Sequence, residues 1–265
     1  MTENNSISRR TLLAGTGAVL ATPGLALAQG RYPDRPIQLV VPWPAGGSAD
    51  AQLRSIAELA GKALGQPMVI QNRPGAGGTL GVLTVAQQAR PDGYTLTQMH
   101  LSVLRRPWMM RTPGWDPIGD FTHIIGMTGW LFGTAVKADS HLKSWQDLLA
   151  YARANPGKLT YSTSGIGTTN HLAMESIQEI EKISLVHVPF RGANEGVTAV
   201  LSGQVDMICD SSTWAPNVEA GQMRALAVWS AERAPRFPAV PTLKELGYDI
   251  CLLYTSDAAD DMQCV

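Results

Sequence analysis

Apolar residues in the body of the chain follow two alternating spacings. Short β-branched runs, Pro36–Val41 and Met68–Gln71, have the length and composition of buried strands. Between them, Ala51–Leu64 places leucine, isoleucine and alanine at intervals of three and four, which predicts a helix that ends at Gly65. Strands that alternate with helices favour parallel sheets covered by helices on both faces. We therefore predict an α/β fold.

The same alternation continues to the end of this body. The further predicted strands are Tyr94–Met99, Leu131–Val136, Lys158–Ser162, Leu185–Val188, Val205–Cys209 and Arg224–Trp229. The further predicted helices are Thr79–Ala89, Ser144–Ala154, His171–Ile180 and Glu195–Leu201. Two such blocks predict a first lobe of residues 29–130, a second lobe of 131–228 and a segment, 229–250, that returns toward the first lobe. Ligands of α/β folds bind beyond the carboxyl ends of strands, so the loops there are candidate sites.

Both ends of the chain depart from this pattern. Arg9 and Arg10 precede a short apolar run that ends in Ala26-Leu27-Ala28, which is typical of a signal-peptide cleavage site. The arginine pair favours twin-arginine export, so we predict that residues 1–28 are removed after Ala28, that the mature protein is periplasmic, and that it does not insert into the membrane. Residues 251–265 have no periodicity and are predicted to be foreign read-through; a natural disordered tail is the alternative.

Charge and cysteine content exclude several classes of function. The chain has 21 lysines and arginines against 22 aspartates and glutamates, so no basic surface for nucleic acid is expected. Cys209 lies in an apolar run and is predicted to be a small core residue, with no disulfide framework around it. The five histidines lack metal-ligand spacing, so neither a metal nor a cofactor is predicted.

Two loops rich in glycine and hydroxyl groups each follow a predicted strand and precede a predicted helix. The first contains Ala45, Gly46, Gly47, Ser48 and Asp50, and the second contains Ser164, Gly165, Ile166, Gly167, Thr168 and Thr169. Glycines let backbone N–H groups face outward and helix starts add partial positive charge, so both loops suit a carboxylate. Alternatively, both are plain turns, with Ser48 or Asp50 as the first helix cap and Thr169 or Asn170 as the second.

The free energy that binding requires favours several hydrogen-bond donors acting together. Micromolar binding needs about 8 kcal/mol, whereas one charge-assisted hydrogen bond contributes about 1.5–3 kcal/mol. Backbone and hydroxyl donors from both loops would therefore have to converge on one anion. Asn72, before a glycine-rich turn, is a further candidate to line the cleft. Arg105, Arg106 and Arg191 are candidates to contact the anion or to form a solvated face.

Catalytic motifs do not occur in the sequence. There is no G-x-S-x-G elbow, P-loop or H-E-x-x-H motif. Ser164 and His171 could form a nucleophile–base pair on paper, but no acid suggests itself to orient the histidine. We therefore predict that the protein is not an enzyme and has no catalytic residues.

Several motifs, in this order along the chain, resemble the Bug family, the receptors of tripartite tricarboxylate transporters. They are Pro42-Trp43-Pro44-Ala45-Gly46-Gly47-Ser48-Ala49-Asp50, Asn72-Arg73-Pro74-Gly75-Ala76-Gly77-Gly78, Pro91-Asp92-Gly93-Tyr94, Ser164-Gly165-Ile166-Gly167-Thr168, His187-Val188-Pro189-Phe190-Arg191-Gly192 and Val240-Pro241-Thr242-Leu243. The resemblance extends from about Tyr32 to Ile250. It implies a two-lobed, type II (Venus-flytrap) periplasmic-binding-protein fold. The family continues beyond Ile250 with elements of the first lobe, so it also implies a C-terminally truncated chain.

The resemblance implies a function as well. A monomeric protein of this family captures a small carboxylate and presents it to the membrane components of a tripartite tricarboxylate-type transporter. The loops Ala45–Asp50 and Ser164–Thr169 match the family's carboxylate-holding loops. The chain departs from the family at His100–Trp108 and at Phe190-Arg191, where Tyr-Lys is common. The alternatives are a receptor that feeds a membrane signalling kinase and, from another class, an α/β hydrolase.

Overall fold

The strands of the protein form two separate sheets. The computed structural model describes residues 32–112, 114–127 and 130–250. Within these residues, the first sheet has three strands and the second has five. The predicted signal peptide, its cleavage site and the tail 251–265 lie outside the described residues. No helix among the described residues has both the length and the apolar character needed to cross a bilayer.

The first sheet is parallel, with strand order β2-β1-β3. Its strands are β1 (Ile37–Val41), β2 (Met68–Asn72) and β3 (Thr95–Thr97), and its helices are α1 (Ser48–Leu64), α2 (Thr79–Gln88) and α3 (Leu101–Met109). Helix α1 buries Leu53 and Ala57 against the sheet and ends at Gly65, whose φ of 70° suits a residue without a Cβ. We call these six elements the first lobe.

Helix α3 is not among the elements that the sequence pattern predicts. It begins because the His100 side chain accepts a hydrogen bond from the backbone N–H of Ser102 and thereby caps the helix. Histidine is not one of the common N-cap residues, and Pro107 stands inside the helix, so sequence signals argue against it. Ser102 and Val103 are buried in the helix's first turn.

The second sheet has the strand order β6-β5-β7-β4-β8. Its strands are β4 (Phe132–Lys137), β5 (Thr160–Thr163), β6 (Val186–Pro189), β7 (Met207–Ser211) and β8 (Met223–Val228). Helices α4 (Trp145–Ala154), α5 (Thr169–Glu181), α6 (Ala193–Leu201) and α7 (Ala215–Glu219) connect them. We call these nine elements the second lobe.

Strand β4 corrects the prediction of purely parallel sheets. It pairs antiparallel with both β7 and β8, whereas β5 pairs parallel with β6 and β7. An apolar run predicts a strand but carries no information about its direction. Because β4 follows a connection from the other lobe, the rule for consecutive strands within one sheet does not apply to it.

Apolar side chains cover both faces of the second sheet. Successive strand residues alternate between the faces, so Val136 and Met207 pack with α4 and α5 while Ala135 and Ile208 pack with α6 and α7. Cys209 is completely buried among the first group, as predicted for a small core residue.

The segment 229–250 packs on the second lobe. Leu243, Tyr248 and Ile250 join the cluster on one face of the sheet, and Phe237 joins the cluster on the other. This segment is predicted from the sequence to return toward the first lobe. In the structure its large apolar side chains are buried in the second lobe as far as Ile250, because that lobe supplies the apolar surface they contact.

We predict that Tyr248→Phe destabilises the second lobe. The buried Trp145 Nε1 donates to Tyr248 Oη (3.0 Å), and Tyr248 Oη donates to Glu181 Oε1 (2.6 Å). The substitution removes both bonds and leaves the indole N–H without an acceptor, so the free energy of unfolding should fall by about 1–3 kcal/mol. Denaturant titration measures this change. Tyr151→Phe, at a half-buried tyrosine of α4, is the control, and equal effects of the two substitutions would contradict the prediction.

Candidate functional site

A cavity lies between the two lobes, where strands end and helices begin. The first lobe lines it with Trp43, Pro44, Gly47, Ser48, Ala49, Gln98 and His100. The second lobe lines it with Trp130, Phe132, Ser164, Thr168, Asn170, Gly192, Ala193, Asn194, Asp210, Ser211 and Thr213. About 40 Å³ of this space is open to the centre of a water molecule. The lobes thus lie close together around a narrow cavity, and hydrogen bonds such as Ser48 to Ser211 join them.

Asp50 shapes the first loop from behind. Its Oδ2 accepts hydrogen bonds from the Gly46 N–H (2.8 Å) and from Arg54 Nε (2.8 Å). Burial by itself would raise the pKa of Asp50, but the hydrogen bonds from Arg54, Asn72 and the Gly46 N–H lower it below its usual value. Asp50 is therefore ionised, stabilises the conformation of the loop and does not line the cavity. The N-cap of α1 is Gly47, which corrects the alternative that Ser48 or Asp50 caps the helix.

Asn72 also supports the loop and does not line the cavity. Its Nδ2 donates to Asp50 Oδ1 (2.7 Å) and to the Trp43 carbonyl (2.9 Å), and its Oδ1 accepts from Arg54 (2.9 Å). The structure places Ala45 and Gly46 outside the cavity lining too. Of the predicted residues in this half of the site, Gly47 and Ser48 face the cavity.

Ser48 links the two lobes. Its hydroxyl donates to Ser211 Oγ (3.0 Å), and its backbone N–H points to Thr213 Oγ1 (3.4 Å). Ser211 and Thr213 lie at the end of β7, so these bonds join the first turn of α1 to the second lobe. Asn194 adds a third link, because its Nδ2 donates to the Ala45 carbonyl (3.0 Å).

Some residues of the second loop line the cavity, and others lie behind its surface. Ser164 lines the cavity and donates its hydroxyl to Asp210 Oδ2 (2.6 Å). Thr168 also lines it and is the N-cap of α5, which corrects the alternative of Thr169 or Asn170 as the cap. Thr169 lies behind the surface, where its N–H donates to Ser102 Oγ (3.0 Å) and its hydroxyl accepts from Arg105 (2.9 Å).

Gly165, Ile166 and Gly167 do not line the cavity. Gly165 and Ile166 instead border a more open groove at the outer end of the seam between the lobes, together with Arg106 and Arg191. The Ile166 side chain is 60% exposed, and its carbonyl accepts a hydrogen bond from Arg106 Nη1 (2.8 Å). The structure thus separates these three predicted residues from Ser164 and Thr168.

Sequence reasoning missed much of the second lobe's contribution. Gly192 caps α6 shortly after β6, and residues 210–213 form the end of β7 and the turn after it; both obey the rule that sites lie at the carboxyl ends of strands. That rule, applied to every strand, could have identified them. Trp130 and Phe132 follow no strand: they reach the same edge because the antiparallel β4 starts there.

Two titratable groups in the lining are affected by burial. Burial raises the pKa of Asp210, against the opposing hydrogen bonds from Ser164 and the Ser211 N–H. Burial, and to a lesser degree the charge of Arg105, lowers the pKa of His100 to about 4, so the imidazole is neutral near pH 7. Among the described residues that line the cavity there is no lysine or arginine. Any charge on a ligand is therefore met by dipoles, hydroxyl groups and Asp210.

The nucleophile–base pair considered from sequence does not form. The Ser164 hydroxyl is bonded to Asp210, while His171 Nδ1 accepts from the Gly167 N–H (3.3 Å) and its Nε2 faces Glu175 (3.7 Å). The two side chains are thus committed to different partners.

Two lobes that close over a cavity built from the starts of helices define a solute-binding protein of the periplasmic type. The sequence profile of the family described as tripartite tricarboxylate transporter family receptor, TctC, matches residues 52–256. The chain belongs to this family. A Cupriavidus necator relative, the UPF0065 protein in the gbd 5' region, is 44% identical over 251 residues, covering 92% of this chain and 76% of the relative. Protein BugT of Bordetella pertussis is 35% identical over 244 residues, or 89% and 74% of the two chains.

Solved structures agree with this assignment. The periplasmic binding protein BugD is 34% identical with a TM-score of 0.74, and the match covers 82% of this chain and 73% of BugD. An R. palustris protein solved with adipate is 32% identical, with a TM-score of 0.75 and coverage of 82% and 73%. MatC from Rhodopseudomonas palustris with bound malate is 30% identical, with a TM-score of 0.75 and coverage of 82% and 74%. The predicted Bug-family membership and two-lobed fold are confirmed.

We predict that Gly192→Ala opposes closure of the lobes. The backbone of Gly192 is extended (φ −174°), so alanine fits its conformation, but a Cβ there would lie 2.6 Å from Cδ of Pro44 in the other lobe. Such overlap costs roughly 1–3 kcal/mol, which should reduce the ratio of closed to open protein by about fivefold or more.

A disulfide across the seam measures closure without any ligand. Ser48→Cys with Ser211→Cys replaces two hydroxyls 3.0 Å apart, so oxidation should trap the closed arrangement. The protein used for this experiment also carries Cys251→Ser and Cys264→Ser, so that the buried Cys209 is its one remaining native cysteine. Adding Gly192→Ala should slow trapping, whereas Gly126→Ala, where a Cβ meets open space, should not. Equal trapping rates would show that Gly192 and Pro44 do not limit closure.

Proposed function

We propose that this protein is a periplasmic receptor that binds a small carboxylate between its lobes and delivers it to the membrane components of a tripartite tricarboxylate-type transporter. The convergence of helix starts on one cavity carries the proposal. Helices α1, α5 and α6 have Gly47, Thr168 and Gly192 as their N-caps, and all three residues line the cavity. Each helix start offers N–H donors and partial positive charge to an anion.

The donors come from both lobes, which couples binding to closure. The start of α1 belongs to the first lobe, and the starts of α5 and α6 belong to the second. A helix N-terminus contributes about 0.3–1 kcal/mol toward an anion, and up to about 2 kcal/mol when partly buried. No single terminus therefore suffices, and the anion is held only when the lobes bring all of them together.

Family membership supports both the kind of ligand and the role in transport. Two structural neighbours of this chain contain malate and adipate, both of which are carboxylates. Family membership supports delivery to transporter components, and the sequence of residues 1–28 supports export. Release to a transporter also suits a cavity whose lining, within the described residues, has no arginine or lysine to retain the anion.

We predict that calorimetry with mono-, di- and tricarboxylates detects binding, and that Gly47→Val weakens it by about tenfold or more. A Cβ at Gly47 would lie at 3.4 Å from Asn194 Oδ1, an ordinary contact, but the branched methyl groups of valine would occupy the space at the start of α1. Gly47→Ala is the matched control and should have a smaller effect. A folded protein that binds no carboxylate in the panel would refute the proposed function.

The export route has its own test. Replacing both Arg9 and Arg10 by lysine should leave the precursor uncleaved in the cytoplasm, because the twin-arginine pathway requires the arginine pair. Cell fractionation with an antibody against the protein measures the distribution. Arg31→Lys, beyond the predicted cleavage site, is the control. Normal periplasmic processing of the double variant would exclude this route.

A further inference from the structure

Three side-chain amides that line the cavity each have a buried oxygen without a hydrogen-bond donor. The atoms are Gln98 Oε1, Asn170 Oδ1 and Asn194 Oδ1. Buried polar atoms in folded proteins nearly always have a partner, because an unmatched one has lost its bond to water. Three such atoms on one cavity surface indicate that the cavity is built for a ligand that supplies hydrogen-bond donors.

The neighbours of Asn194 determine which way its amide faces. Its Nδ2 donates to the Ala45 carbonyl across the seam (3.0 Å), so the nitrogen is identified and the other atom is the acceptor. The Oδ1 atom lies next to Gly47, at 3.4 Å from the position of a Cβ there. An acceptor thus stands beside the start of α1, where the ligand's carboxylate is expected to bind.

Asp210 adds a second acceptor to the same surface. Its Oδ2 accepts from the Ser164 hydroxyl (2.6 Å) and its Oδ1 from the Ser211 N–H (2.7 Å). The Ser164 N–H and the Ser211 hydroxyl are further donors to this carboxylate, which lines the cavity as an acceptor. Among the described residues no lysine or arginine pairs with Asp210, and the side chain is buried.

The lining therefore has two chemical halves. Helix starts and hydroxyl groups provide donors, while Asn194, Asp210 and the two further amides provide acceptors. We propose that the ligand carries, close to its carboxylate, a hydrogen-bond donor that faces Asn194 and Asp210: it is a hydroxy acid or an amino acid, not a plain alkyl carboxylate. This inference rests on the proposed function and specifies its ligand.

Matched acids test the inference. Succinate, malate and aspartate share one carbon skeleton and differ only in the group on the second carbon: hydrogen, hydroxyl or ammonium. The three-carbon set is propionate, lactate and alanine, and the five-carbon set is glutarate, 2-hydroxyglutarate and glutamate. In at least one set, the hydroxy or amino acid should bind at least about tenfold tighter than the plain acid, because a site built to accept a donor discriminates against its absence. The hydroxy and amino arms then identify the donor.

Two variants assign the preference to residues. Asn194→Ala and Asp210→Asn should each reduce the ratio of the two dissociation constants, plain acid over donor-bearing acid, by about threefold or more. The ratio is measured on one protein preparation, so it does not depend on the folded fraction. Asn155→Ala is the control, because that amide donates to the Tyr151 carbonyl on α4, away from the cavity.

The possible outcomes distinguish a failure of the proposed ligand chemistry from a failure of the proposed function. Plain acids that bind as tightly as their donor-bearing partners would overturn the inference and leave the proposed function standing, with ordered water bonding the amides. An unchanged ratio in both cavity variants would overturn the assignment to Asn194 and Asp210. Absence of binding by all nine acids and by the wider carboxylate panel would overturn the proposed function itself.

Discussion

The architecture of the cavity depends on two buried carboxylates, one in each lobe. Asp50 accepts the Gly46 N–H and is held by Arg54 and Asn72, so the loop before α1 keeps its shape and Gly47 and Ser48 face the seam. Asp210 accepts from Ser164 and from the Ser211 N–H and joins the ends of β5 and β7. The two carboxylates differ in their partners: Asp50 has an arginine as a partner, whereas Asp210 is buried and its hydrogen-bond donors are neutral. The first carboxylate is structural, and the second remains part of the surface that a ligand meets.

The sequence predicted most of the fold and only part of the site. Regular apolar spacing identified the strands and the long helices, because burial imposes a period of two on strands and about 3.6 on helices. The direction of β4 was not predictable from such a pattern, and α3 depends on a cap made by His100. In the two loops, the composition identified the segments but did not show which of their residues line the cavity. Positive φ angles at Gly46 (82°) and Gly165 (125°) turn the chain there, so neighbours in sequence lie on different surfaces.

Residues from distant parts of the sequence complete the cavity. Gln98, Asn194 and Asp210 are far apart along the chain and belong to no shared motif, so only the folded arrangement shows that they meet. The hydrogen bonds across the seam are of two kinds: neutral pairs, such as Ser48 to Ser211, and bonds from Arg105 and Arg106 of α3 to the second loop. A neutral bond contributes about 0.5–1.5 kcal/mol net, and one from a charged group about 1.5–3 kcal/mol. A ligand that contacts both lobes adds its own binding free energy to that of these bonds.

The contact between Pro44 and Gly192 has a mechanical consequence. A rigid proline ring meets a bare backbone, with no flexible side chain of either residue to be compressed between them. The lobes therefore cannot approach each other more closely at this point without a shift of the backbone or of the proline ring. Ligands of different size would still bring the two lobes to the same final separation at this point, provided that they allow this contact to be reached. The outline of the closed protein at this point would then be the same whatever solute it contains.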